Sequence, residues 1–385
     1  MKRILSLILA LILITTADIS YACTMFSSSE GGKSWAGNNE DWTDPNTKVW
    51  FEPSGKDTYG GVYFGFGDMF PQGGMNEKGL FFDAAATKGV SYSSNKPYAG
   101  WDLMAEIMRK CLDVDEVVAF YKKYDFIGLH WAQYMYTDKS GMSVIIAGTP
   151  DGVKYIHKNG TYQALGNSLI AQGEAPDWKQ AVAEKMLKDN CAATVKNFTN
   201  ILESMDQNGL TKYTNIYDLQ RGEVYLYHQQ NYGRYIKFNL KYELEKGYKE
   251  YDLPELFRVK PEIRLKINSG VMEINSFKND VDPEKGGKPV IYKNRTLLPI
   301  NALVEALGGS VVWSKDQKSV KVILNSKIIE MTAGSKKTLV NGRSHITDVG
   351  PAIINGIPLV PLRFVMEKAG YSVKWDEKSQ RITIS

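Results

Sequence analysis

The chain has 385 residues, 43% of them apolar and 23% charged, with a formal net charge of +4. Its lysines and arginines are interspersed with acids rather than clustered, so there is no nucleic-acid footprint. Cys23, Cys111 and Cys191 lack CxxC partners and the histidines (His130, His157, His228, His345) are scattered, which leaves a zinc site without support.

The first 22 residues combine a basic start (Lys2, Arg3), an apolar run over about 4–14, and small residues at Ser20 and Ala22. This reads as a signal peptide over 1–22 cut before Cys23, with an apolar run too short for a comfortable membrane span. The rival is a lipoprotein signal that would make Cys23 an anchor, but Ser20 and the bulky Tyr21 fit a lipobox poorly. Three cysteines are an odd set for an exported protein. Either Cys111 and Cys191 pair and leave Cys23 free, or both are small buried hydrophobes.

The roughly 360 residues that remain exceed one ordinary domain. The polar stretch 253–262, punctuated by Pro254 and Pro261, reads as a linker and divides the chain into 23–257 and 258–385. Short apolar runs between glycine-rich turns predict strands over 24–29, 34–37, 61–65 and 79–86. Helical spacing follows over 102–110 and 114–124, then strands over 131–137, 143–148, 153–157 and 162–165. A helical pair over 178–188 and 193–205 precedes closing strands over 214–218, 223–228 and 234–239. That order fits a layered α+β sandwich.

Beyond the linker an internal repeat sets the expectation. Pro299, Glu305, Gly308 and Trp313 recur at constant offset as Pro361, Glu367, Gly370 and Trp375. Each unit reads as strand, proline-started helix, glycine stop and strand hairpin, a smaller α+β repeat domain with nothing catalytic in it.

Cleavage before Cys23 would place a thiol and an α-amine on one residue. The thiolate is the nucleophilic form, and an α-amine of ordinary pKa near 8 can take its proton, so nucleophile and base would coincide. Such a cysteine needs a partner for its amine, a donor for the oxyanion, and an acyl pocket. Asp41, after a strand, turn and strand, is the candidate for the first; its alternative is a turn residue before Trp42. Asn167, in Leu165-Gly166-Asn167-Ser168, is the candidate oxyanion donor, its alternative an ordinary turn asparagine. Trp42, Trp50, Phe51, Phe64, Phe66, Phe70, Phe81 and Phe82 either line the pocket or fill the core.

Four motifs occur in order: Cys23-Thr24, Gly37-Asn38-Asn39-Glu40-Asp41, Gly74-Met75-Asn76-Glu77-Lys78-Gly79-Leu80, and Asn167-Ser168. Together they resemble the N-terminal-nucleophile (Ntn) hydrolases of the choloylglycine hydrolase, penicillin V acylase and acyl-coenzyme A:6-aminopenicillanate acyltransferase group. The resemblance implies an αββα sandwich and hydrolysis of a linear amide C–N bond in a small N-acyl substrate, without cofactor or metal. It implies Cys23 as nucleophile, Asp41 as the carboxylate near its amine, and Asn167 as side-chain oxyanion donor. Two positions depart from the pattern. Asn38 stands where the group has arginine, so either Lys179 or another base replaces that cation, or this branch works differently. Ala86 stands where it has a second asparagine, so only a backbone N–H would serve there. Asn76 and Glu77 read as turn residues.

The motifs Arg295-Thr296-Leu297-Leu298-Pro299 and Pro358-Leu359-Val360-Pro361-Leu362-Arg363-Phe364, with Trp313 and Trp375, resemble the domain named for the N-terminal segment of copper amine oxidases. No copper ligands accompany them. The resemblance implies a stalk, with spacer, surface-attachment or cell-wall binding roles. The expected function is a secreted cysteine amidase. Its rivals are a surface-binding protein with a degenerate sandwich, a lipid-anchored stalk protein, and an acyltransferase if an amine replaces water.

Overall fold

The computed structural model describes residues 23–100 and 103–385, so the signal-peptide reading over 1–22 and Asp102 lie outside the described residues. Six strands come first: β1 (Thr24–Glu30), β2 (Lys33–Asp41), β3 (Thr47–Glu52), β4 (Gly61–Phe66), β5 (Pro71–Asn76) and β6 (Phe81–Ala86). Helices α1 (Leu103–Lys110) and α2 (Val114–Lys123) lead into β7 (Ala132–Thr137), β8 (Ser143–Thr149), β9 (Gly152–His157) and β10 (Tyr162–Leu165). Helices α3 (Trp178–Asp189) and α4 (Val195–Ser204) precede β11 (Thr211–Asp218), β12 (Glu223–His228) and β13 (Ile236–Asn239). Helix α5 (Leu240–Leu244), β14 (Lys249–Asp252) and α6 (Leu253–Arg258) follow.

These strands form two antiparallel sheets, one ordered β10-β1-β2-β11-β12-β13 and the other β14-β3-β4-β5-β6-β7-β8-β9. The sheets share one core, built of Met25, Ala36 and Tyr217 from the first and Phe64, Met75 and Phe81 from the second. The outer face of the first sheet is covered by Ala183 and Leu187 of α3 and by Phe198 and Leu202 of α4. Leu103, Ile107, Val117 and Tyr121 of α1 and α2 cover the outer face of the second. The four layers run helix, sheet, sheet, helix, which is the expected αββα sandwich.

Strands β3 and β5 were not expected from the sequence. Two glycines weaken the strand signal of β5, yet both are required by crowding: a Cβ on Gly74 would meet the Val62 carbonyl at 2.3 Å, and one on Gly73 would meet Asp83 at 2.4 Å. The reading of 253–262 as a linker is corrected: Pro254 sits in the first turn of α6, and Leu253 is buried in the inter-sheet core. All three cysteines are free thiols, so Cys111 and Cys191 do not pair; Cys111 is buried and Cys191 half-buried.

In the C-terminal part the repeats fold as read. Strand Arg295–Leu298 leads to helix Asn301–Ala306, and strand Ile357–Pro361 to helix Leu362–Lys368. Gly308 and Gly370 stop the two helices at φ +77 and +96, which favour glycine. The repeat strands pair with one another, Leu298 opposite Val360. Phe277 leaves this part for the inter-sheet core, 5.8 Å from Phe238 and 5.3 Å from Tyr251 between ring centres. Burying that ring contributes roughly 2–3 kcal/mol to holding the C-terminal part on the sandwich.

Candidate active site

The site begins with a turn. Gly31 and Gly32 have φ of +60 and +77 and join Glu30 to its partner Lys33, the two-residue hairpin loop that a Gly-Gly pair favours. That turn fixes the β1–β2 register down to Thr24 opposite Asn39, and one further step sets Cys23 opposite Glu40. On the other flank β1 pairs β10 with Met25 opposite Leu165, and continuing that register sets Cys23 opposite Asn167. Three residues that are remote in sequence therefore meet at the head of β1.

Alternation sorts the side chains of β2. Ala36, Asn38 and Glu40 face the inter-sheet space, whereas Asn39 and Asp41 face α3 and α4. Cys23 lies on the inter-sheet side, and its Sγ donates to Glu40 Oε1 at 3.2 Å. From the opposing sheet Asp83 of β6, fully buried, faces the same cluster, with its Oδ1 accepting from the Ala84 N–H at 2.8 Å. Tyr213, Asn215 and Tyr217 of β11 complete it, paired respectively with Glu40, Asn38 and Ala36 of β2. Among the described residues, Glu40 Oε2, Asp83 Oδ2, both amide atoms of Asn38 and of Asn215, and the Tyr213 and Tyr217 hydroxyls have no hydrogen-bond partner. The Tyr213 hydroxyl is near enough to Glu40 to ease its ionisation without reaching hydrogen-bond geometry.

Electrostatics follow from burial. Glu40 is pushed up to about 8, by burial first and then by the charge of Asp41, against the pull of the Cys23 thiol. Asp83 is held well above the carboxylate range by burial and by Glu40. The Cys23 thiol is raised well above its ordinary value by burial and by the carboxylates of Glu40, Asp83 and Asp41; the Asp41 backbone N–H opposes this. Among the described residues no ion pair reaches Glu40 or Asp83, and the lysine that Glu40 feels, Lys179, is bonded to Asp41.

Asp41, the last residue of β2, is fully buried beside the site on the helix-facing side. Its Oδ2 accepts from Lys179 Nζ at 2.5 Å and its Oδ1 from Thr211 Oγ1 at 2.5 Å. A bulge between Thr211 and Tyr213 lets Thr211 reach Asp41 while Tyr213 turns to Glu40. Lys179 comes from the first turn of α3, whose N-cap Asp177 accepts from the N–H groups of Lys179 and Gln180, both at 3.0 Å. The same carboxylate accepts from the Asn167 N–H at 2.6 Å, so one cap positions both residues. Gly166 permits this, since a Cβ there would meet Asp177 at 2.1 Å.

Asn167 directs its Nδ2 to the Ala86 carbonyl at 2.5 Å, and its Oδ1 is buried without a partner. Ala86, the exposed last residue of β6, thus serves through its carbonyl to hold Asn167. Asn76 is a turn residue with a second role: Oδ1 accepts from Lys78 and Leu80 N–H at 3.0 Å, and Nδ2 donates to the Met108 and Cys111 carbonyls at 2.9 and 2.8 Å. It ties β5 to the end of α1.

Of the aromatic candidates, Phe51, Phe64 and Phe81 fill the inter-sheet core, and Trp50 and Phe82 the core under α1 and α2. Trp42 and Phe70 are exposed, and Phe66 links Trp42 to Tyr213 with ring centres 6.5 Å from each. Sequence reasoning missed Glu40 as a partner of the thiol, and Asp83 altogether. Counting alternation back from Asp41 would have put Glu40 on the face of Cys23.

Residues 277–384 match the family model described as copper amine oxidase N-terminal domain. Among solved structures, penicillin V acylase from Agrobacterium tumefaciens is similar at 17% identity and a TM-score of 0.49, covering 60% of this chain and 92% of that one. Two variants of conjugated bile acid hydrolase from Clostridium perfringens are similar at 17% identity over 60% of this chain, with TM-scores of 0.47 and 0.44. They are covered over 97% and 96% of their own lengths. No curated protein matches the chain by sequence.

Proposed function

We propose that this protein is a secreted cysteine amidase whose mature chain begins at Cys23 and which hydrolyses a linear amide of a small N-acyl substrate. One observation carries the reading: the thiol at the head of β1 lies in a buried polar cluster on the inner face of the sandwich, with Glu40 across one strand and Asn167 across the other. The ordered motifs from Cys23 to Ser168 support it independently.

The chemistry runs in two halves. Sulfur attacks the amide carbonyl, the tetrahedral oxyanion is met by Asn167 Nδ2 and a backbone N–H, and the amine leaves with a proton, giving a thioester on Cys23. Water then releases the acid. Asn167 must leave the Ala86 carbonyl to meet the oxyanion, and removing one such donor costs on the order of a hundredfold or more in rate. The thiol proton has two acceptors, the α-amine freed by cleavage, of ordinary pKa near 8, and the Glu40 carboxylate. Phe66, between Trp42 and Tyr213, is the aromatic edge along which an acyl chain would reach Cys23.

With residues 1–22 removed, the sandwich is assigned to 23–257 and an attachment or spacer role to 258–385. The test is the intact mass and N-terminal sequence of the protein exported by its native host, followed by a screen of N-acyl amides. A chain starting at unmodified Cys23 that turns over an amide supports the reading. A lipidated Cys23, or a chain retaining Ala22, overturns it.

A further inference from the structure

Two buried carboxylates beside a nucleophilic thiol need a reason to exist. Glu40 and Asp83 are 2% and 0% exposed, and no ion pair compensates either among the described residues. Taking a carboxyl from water costs several kcal/mol when it is ionised and unpaired, so an acid kept in such a place holds a proton, or cycles one. Asp41 differs, because Lys179 and Thr211 bind both its oxygens. It is committed as an anion, and its side chain lies on the other face of β2.

We propose that Glu40 is the proton acceptor and donor for Cys23, taking the Sγ proton as sulfur attacks and returning it to the leaving nitrogen, with Asp83 held protonated beneath it. The proposal rests on the amidase reading and assigns a residue of that site. Geometry favours Glu40: its Oε1 already accepts from Sγ at 3.2 Å, and the Gly31-Gly32 turn fixes that contact through the strand register. In the first step the S–H bond breaks, the S–C bond forms and the proton moves to Glu40 Oε1. In the second the C–N bond breaks and that proton passes to the departing amine. In the third step the water oxygen bonds the thioester carbon and the C–S bond breaks, one water proton passing to Glu40 and from it to the released sulfur. No oxidant or further reactant is required. The α-ammonium of Cys23 then remains charged and supplies the cation that the acid pair lacks.

The groups that tune the exchange are Asp83 from β6, Tyr213, Asn215 and Tyr217 from β11, Asn38 from β2, and the Asp41–Lys179 pair behind the strand. Burial sets Glu40 at about 8 in the uncut chain, near the working pH that suits a general base.

The experiment uses chains beginning at Cys23: wild type, Glu40→Gln, Glu40→Asp and Cys23→Ala. Two readouts are compared, turnover of the best N-acyl amide and the rate of Cys23 alkylation by iodoacetamide at pH 7, followed by peptide mapping. In Glu40→Gln turnover should fall at least about 100-fold in kcat, the contribution of a positioned general base, with KM little changed. Alkylation should fall several-fold as well, because the carboxylate that takes the Sγ proton has gone and the thiolate is the form that reacts. A fall in both with a near-UV circular-dichroism spectrum unchanged from wild type is not produced by general loss of structure. Should Glu40→Gln fail to fold, Glu40→Asp keeps the carboxyl but withdraws it by one methylene, and it should lose part of both turnover and alkylation. Full turnover in either variant, or Glu40→Gln alkylation that is unchanged or faster while turnover falls, overturns the proposal. The amidase reading fails separately, if wild type turns over no amide or Cys23→Ala remains active.

Discussion

Breaking the Asp41–Lys179 pair gives the sharpest test of how the site is held. Both side chains are almost fully buried, 0% and 1% exposed, and their charged atoms are 2.5 Å apart. Removing one member leaves an uncompensated buried charge, which costs about 3–5 kcal/mol, whereas removing both costs much less. Asp41→Asn and Lys179→Met should therefore each lose about 3–5 kcal/mol in urea unfolding. The double variant should sit well above the sum of the two, with an interaction energy of at least about 2 kcal/mol. Lys179→Met carries a further signature. Burial already raises Asp41 above its ordinary value and Lys179 opposes that rise. Without Lys179 the folded carboxyl binds its proton more tightly than the unfolded one, so stability is lost as pH rises from about 4 and the deficit shrinks on acidification. Strictly additive losses, or a deficit independent of pH, would refute the pair as the support of β2 behind Cys23.

Other predictions follow from the same cluster. Gly73→Ala should destabilise by roughly 1–3 kcal/mol, because its Cβ would stand 2.4 Å from Asp83, and Asp83→Ala should recover part of the loss in the same unfolding assay. Glu40 rises from 4.5 to about 8 on folding, so the folded state holds a proton the unfolded chain has released. Stability should decline as pH rises through that window, by up to about 5 kcal/mol, and thermal melts of Glu40→Gln should show a shallower decline. Asn76→Ala removes four hydrogen bonds, two at the β5 turn and two to the end of α1. It should cost roughly 2–4 kcal/mol in chemical unfolding and speed amide exchange at the end of α1.

Much of this was legible in local signals. The repeats declared themselves through prolines and glycines with defined backbone roles, and α1 and α2 through helical spacing. Cys23, Asp41 and Asn167 could be singled out because the proposed amidase chemistry restricts residue type and order. Legibility failed where tertiary contact overrode local preference. Gly73 and Gly74 look like turn residues but make room for Asp83 and for the Val62 carbonyl. Pro254 looked like a break and instead starts α6. Glu40 was overshadowed by its neighbour Asp41, because which of two adjacent acids meets the thiol depends on which face of β2 each occupies. Asp83 gives no local sign of its role, since its place opposite Cys23 arises only when two sheets stack.

The most direct test of catalysis by Cys23 is to trap the acyl-enzyme. A chain beginning at Cys23 is mixed with a slowly deacylated N-acyl amide, quenched in acid and measured by intact mass and peptide mapping. One acyl group should appear on the Cys23 peptide as a hydroxylamine-sensitive thioester, absent from Cys23→Ala, while Cys111 and Cys191 stay unmodified. Turnover without any adduct on Cys23, or an active Cys23→Ala chain, would contradict it.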